Sequence, residues 1–114
     1  STPMRSYEIL ADLGQAEPNL FAQARILKLD EWGGLAMDDP ATCETALRKT
    51  LIDPLGLESR YIAFDSNPSN ADAECRRVGA WLDHNGPIGL AILGLGLNGH
   101  LGFNEPATGV QPHA

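Results

Sequence analysis

His100, Glu105 and Asp30 carry the side chains that acid–base catalysis needs. An imidazole exchanges protons near neutral pH, and a carboxylate beside it orients the ring and raises its basicity towards the working pH. Glu105 stands five residues after His100, in a glycine-rich stretch and not on the apolar face of a helix. Asp30-Glu31 supplies a second acid–base group. Each has a plainer reading too: a lone histidine is usually structural or solvated, and Asp30 could cap a turn. Ser1-Thr2-Pro3 reads either as an ordinary helix cap or as a helix start whose hydroxyls and free N–H groups hold a phosphate. His84 and His113 have no partner that the sequence names and read as surface residues.

The elements that must position these groups alternate between helix and strand. A first helix is expected from Pro3, with Ser1 or Thr2 as its cap, Met4, Tyr7, Leu10 and Ala11 on its apolar face, and Gly14 at its end. Residues 24–29 read as a strand that ends at Asp30-Glu31-Trp32. Asp39-Pro40 starts a second helix, with Cys43, Leu47 and Leu51 four apart on one face. Pro54 and Gly56 stop it. Residues 60–64 form a short strand. Ser69, with Asp72 three residues on, starts a third helix whose stripe is Ala71, Cys75, Val78 and Leu82, and Gly86-Pro87 ends it. Residues 88–95 are nearly all apolar and read as the strongest strand, buried on both faces. Strands separated by helices predict an α/β fold with parallel βαβ units. Ligands bind such sheets beyond the carboxyl ends of the strands. Asp30-Glu31 and the segment 98–105 both fall there, which predicts that they share one edge of the sheet.

Gly94-Leu95-Gly96-Leu97-Asn98-Gly99 fits a dinucleotide-binding glycine pattern and follows a strand. That pattern requires a helix opening at its third glycine. Here His100-Leu101-Gly102-Phe103-Asn104-Glu105-Pro106 follows, which is poor helix material interrupted by proline. The glycines are expected instead to shape a tight loop that exposes His100 and Glu105. Gly96 and Gly99 are counted with the substrate-binding residues.

The 114 residues fit one domain, with 43% hydrophobic and 20% charged residues, as in an ordinary soluble protein. The net charge of −7 argues against a nucleic-acid partner and leaves any phosphate to be held by local groups. No apolar run approaches the roughly 20 residues that cross a bilayer, and the start has no signal-peptide pattern. Cys43 and Cys75 read as reduced thiols on apolar helix faces, without ligand-type neighbours at metal spacing. These features point to the cytoplasm. The absence of an initial methionine and of a final element leads us to expect a fragment.

The run Leu93-Gly94-Leu95-Gly96-Leu97-Asn98-Gly99-His100-Leu101-Gly102-Phe103-Asn104-Glu105-Pro106 resembles the signature of glucosamine-6-phosphate deaminases and related isomerases. Lys28-Leu29-Asp30-Glu31-Trp32, Pro40-Ala41-Thr42-Cys43-Glu44-Thr45 and Pro54-Leu55-Gly56-Leu57 look most like the galactosamine-6-phosphate isomerase (deaminase) branch, and Ser1-Thr2-Pro3 resembles the end of that family's phosphate loop. The likeness runs along nearly the whole chain, and is most specific at the signature. It implies a doubly wound, mostly parallel Rossmann-like α/β sandwich, of which residues 1–114 would be the N-terminal to middle part. It implies conversion of an amino-sugar 6-phosphate to a ketose 6-phosphate with release of ammonia, without redox cofactor or metal. The partner would be a small sugar phosphate, neither nucleic acid nor membrane, and the full-length protein could be a homo-oligomer. By the same resemblance His100 opens the sugar ring, Glu105 holds and polarises His100, Asp30 moves a proton between C2 and C1, and Ser1 and Thr2 bind the phosphate. The resemblance assigns no sharp role to Glu31 or Asn104.

Two departures qualify it. Glucosamine-6-phosphate deaminases usually carry aspartate where this chain has Asn98. Asparagine hydrogen-bonds without adding charge beside His100, which agrees with the galactosamine branch. The first strand, the start of the phosphate loop and the later basic residues that grip the phosphate are also expected to lie outside these residues, which implies an incomplete site. Two other readings stay open. The 6-phosphogluconolactonases share the fold and a glycine-histidine loop, but resemble Asp-Glu-Arg at positions 30–32 and lack the run at 103–106. Sugar-phosphate-binding domains of transcription regulators use a related fold, but a pure binder has no chemical reason to keep Asp30, His100 and Glu105 together.

Overall fold

The computed structural model describes residues 3–102 and 104–106. Ser1, Thr2, Phe103 and residues 107–114 lie outside the described residues, so the helix-cap and phosphate readings of Ser1 and Thr2 do too.

Helix α1 runs Met4–Ala16, with Pro3 at its N-cap position and the Tyr7 N–H donating to the Pro3 carbonyl at 3.1 Å. Tyr7, Leu10, Ala11 and Gly14 recur at helical spacing and face inward. Gly14 is not the helix end that the sequence suggests. It is buried inside α1, because a Cβ there would lie 2.7 Å from a Leu55 methyl and 2.8 Å from the Phe21 ring. The glycine is needed for close packing, not for turning the chain.

Strand β1, Ile26–Leu27, pairs in parallel with β2, Tyr61–Ile62, in the register Ile26 to Tyr61 and Leu27 to Ile62. The Lys28 N–H extends the ladder to the Ile62 carbonyl at 2.9 Å. The crossover between them carries helix α2, Cys43–Leu47, which continues into a π-helical turn, Arg48–Ile52. This is a βαβ unit, as a parallel pair requires. Helix α2 begins later than Asp39-Pro40. The Asp39 carboxylate turns the chain by accepting the Ala41 N–H at 2.8 Å, and Thr42 caps the helix by accepting the Thr45 N–H at 3.1 Å. A short 3-10 turn, Glu58–Arg60, leads into β2.

The core gathers Ala11, Leu47, Leu51, Ile52 and Leu57, with Tyr7, Leu10, Phe21, Ile26, Leu55 and Tyr61 packed against them. Ile52 and Leu57 are fully buried, and each such side chain contributes about 1.5–3 kcal/mol.

Helix α3 spans Ala71–Asn85 and ends at Gly86, φ +86. Its cap is Asn70 and not Ser69: the Asn70 side chain accepts the Ala73 N–H at 2.9 Å. Of the expected stripe only Val78 is buried, while Cys75 is half-buried and Ala71 exposed. Both cysteines are free thiols.

Residues 88–95 depart most from expectation. They form no strand, and Leu90 and Leu95 are 82% and 69% exposed. A buried parallel strand obtains its hydrogen bonds and its dry faces from neighbours. Among the described residues no strand pairs with this segment, apart from an isolated bridge from Leu95 to Leu101. No helix among the described residues is long and apolar enough to cross a membrane.

Candidate active site

The loop after this apolar segment is shaped by its own backbone. The Gly99 N–H donates to Gly96 at 2.9 Å and the Gly96 N–H to His100 at 3.0 Å, while Leu101 and Asn104 bridge each other. Gly99 and Gly102 have φ of +88 and +56, a region that side chains rarely adopt. Gly96 serves differently. A Cβ built on it would overlap the imidazole of His100, so the ring lies over the bare backbone.

Asn98, His100 and Glu105 are brought together. Asn98 Nδ2 donates to the Glu105 carboxylate, and Asn98 Oδ1 lies 2.7 Å from His100 Nδ1. The same oxygen accepts the His100 backbone N–H at 3.2 Å, and Glu105 Oε1 stands 4.0 Å from Nδ1. This arrangement suits one neutral tautomer of the ring. An ionised carboxylate only accepts, which fits the Asn98 amide turning its NH2 to Glu105 and its oxygen to the ring. In that tautomer His100 donates from Nδ1 to Asn98, and Nε2 carries the lone pair that a base needs.

Asp30 follows β1 on a neighbouring segment. The two clusters adjoin through Leu29, whose methyl would stand 3.0 Å from a Cβ on Gly102. Asp30 is half-buried. Burial pushes its carboxyl above the ordinary aspartate value, the Glu31 charge pushes the same way, and Lys28 opposes them. Tyr7 of α1 and Cys43 of α2 lie near enough for the Asp30 charge to add to burial in raising their own values.

Glu31, to which the resemblance gives no sharp role, is held at four points. Its side chain is 2% exposed. Lys28 Nζ donates to its Oε2 at 2.5 Å, the Cys43 and Glu44 N–H groups donate at 3.0 and 2.8 Å, and Trp32 N–H at 2.8 Å. Burial alone would raise its carboxyl, but the Lys28 ammonium and the three backbone N–H groups outweigh it and hold it down at about 2. Lys28, 5% exposed, also pairs with Glu44 at 3.1 Å, and Glu44 (4%) receives Arg48 Nε at 2.6 Å and the Tyr61 hydroxyl. Burial, then Glu44, raises the Tyr61 phenol. Nothing in the local pattern discloses this cluster, because the helix end that Glu31 caps lies 12 and 13 residues away.

No protein-family model matches the chain. It is 41% identical over 113 residues to AgaI of Escherichia coli (strain K12), which bears a deaminase's name provisionally, across 98% of this chain and 45% of that protein. It is 38% identical over 112 residues to a glucosamine-6-phosphate deaminase of Halalkalibacterium halodurans, across 96% of this chain and 45% of the relative. A solved structure of a monomeric glucosamine-6-phosphate deaminase, described as a missing link of the NagB superfamily, superposes with a TM-score of 0.83 at 34% identity, covering 96% of this chain and 46% of that one. The chain thus spans less than half the length of these relatives. With the α/β order, the parallel pair and the glycine-histidine loop in place, the chain is similar, over the residues it spans, to the glucosamine-6-phosphate deaminases.

Proposed function

We propose that the full-length protein is an enzyme that isomerises and deaminates a hexosamine 6-phosphate. His100 Nε2 acts at the ring oxygen and opens the sugar. Asp30 takes the proton from C2 and returns it to C1 through an enolamine. The resulting C2 imine is hydrolysed by water, which releases ammonia and leaves a ketose 6-phosphate. Glu105 and Asn98 position His100, Gly96 and Gly99 shape the substrate side of the loop, and Ser1 and Thr2 contribute to phosphate binding. The observation that carries this reading is the Asn98–His100–Glu105 arrangement on a loop that touches the segment bearing Asp30. A neutral amide at position 98 favours galactosamine 6-phosphate, while the named relatives favour testing glucosamine 6-phosphate beside it. We place residues 1–114 in one catalytic domain of a cytoplasmic protein, in keeping with its two free thiols.

The test is ammonia release by the full-length protein from galactosamine 6-phosphate and glucosamine 6-phosphate, with 6-phosphogluconolactone hydrolysis measured in parallel. Release from either amino sugar supports the reading, and the faster one names the substrate. Lactone hydrolysis without ammonia release overturns it, as does sugar-phosphate binding without turnover.

A further inference from the structure

We propose that Glu31 is the positioning residue for Asp30, fixing the carboxylate that shuttles the proton by clamping the end of β1 to the start of α2. The inference rests on the reading of Asp30 just given. Asp30 lies on a connection that leaves the ladder after Lys28, where no strand partner among the described residues restrains the backbone. The next side chain is anchored at four points: the Cys43 and Glu44 N–H groups of α2, its neighbour Trp32 N–H, and Lys28 Nζ. Lys28 and Glu31 flank Asp30 in sequence, and their side chains are joined. Residues 28–31 are therefore closed into a short loop that is docked on a helix end. That docking is itself backed by Lys28 to Glu44 and Arg48 to Glu44. An ionised carboxylate suits the position because both its oxygens must accept from N–H groups. An amide would set an N–H against an N–H at one of them.

Misplacing a reacting group by about 1 Å costs about a hundredfold in rate. Glu31→Gln in the full-length protein is therefore expected to lower kcat for ammonia release about a hundredfold, with KM changed less than about threefold, since Glu31 does not touch the sugar. Exchange of the substrate C2 proton with solvent should slow by the same factor. Glu31→Asp keeps the charge but draws the carboxylate back by one methylene, and is expected to lose at least tenfold in kcat. It decides the matter should the glutamine variant not fold. Glu74→Gln is the control. Glu74 also caps a backbone N–H, that of Asp65, and pairs with Arg77. It should lose stability and keep kcat. Wild-type kcat in either Glu31 variant, or an equal kcat loss in Glu74→Gln, overturns the proposal. Asp30→Asn run alongside separates the two failures: retained kcat there sinks the role of Asp30, whereas its loss with an unaffected Glu31→Gln sinks only the role of Glu31.

Discussion

Asn98 Oδ1 lies 2.7 Å from Nδ1 of His100, so whatever charge position 98 carries acts directly on the imidazole. The amide presents an oxygen to the ring and an N–H to Glu105, and so couples the two without adding charge. Asn98→Asp would set a second carboxylate against Glu105 and beside the ring. The acid limb of the kcat/KM–pH profile is then expected to move to higher pH, because a nearby negative charge favours the protonated imidazole. An unmoved profile would contradict the account.

His100→Ala removes the group assigned to ring opening. Turnover of the preferred hexosamine 6-phosphate is expected to fall by about a hundredfold or more, the scale of general acid–base catalysis. Steady-state ammonia release measures it, and turnover like the wild type would remove His100 from the mechanism.

Gly96→Ala tests the same ring from below. The position needs no positive φ, so the effect is steric alone: the new methyl occupies the space of the imidazole. Activity should fall by about a hundredfold through displacement of His100. The urea midpoint should barely move, since the loop lies outside the core.

Gly14→Ala probes the fold. Helix propensity would favour alanine by about 1 kcal/mol. Against this, a Leu55 methyl and the Phe21 ring both lie under 3 Å from the new Cβ, and overpacking of this kind costs about 1–3 kcal/mol. Net destabilisation of about 1 kcal/mol is expected by urea unfolding.

Two carboxyls give opposite pH dependences of stability. Glu31 is held down at about 2 from an ordinary 4.5, against the burial that would raise it. The stability it brings is complete above about 4.5 and is lost as pH falls towards 2. Glu31→Gln should flatten the fall of Tm in that window, and Glu74, also held at about 2, should supply part of the slope that remains. Asp30 is raised, first by burial and then by Glu31. Its ionisation therefore costs stability that is present at low pH and lost as pH rises. Asp30→Asn is expected to raise Tm at pH 7 and to leave it unchanged below the ordinary aspartate value of 3.8. Scanning calorimetry across pH tests both.

What the sequence determined by itself is local. Helical spacing at Tyr7, Leu10 and Ala11 requires an amphipathic α1, and the alternation of elements requires a parallel β1–β2 pair. The glycines around His100 exclude a nucleotide-binding helix there, since backbone preference and proline act over a few residues. The glycine-histidine run likewise marks a loop that can hold Asn98, His100 and Glu105 within hydrogen-bonding reach. The tertiary structure decided the rest. It made Gly14 a contact point for Leu55 and Phe21, moved the cap of α3 to Asn70, and left residues 88–95 mostly exposed, with only the Leu95 bridge among the described residues, because a ladder needs a second strand. It also gave Glu31 its role. Hydrogen bonds to Cys43 and Glu44 cross a dozen residues of chain, and only folding decides which buried charge meets which helix end.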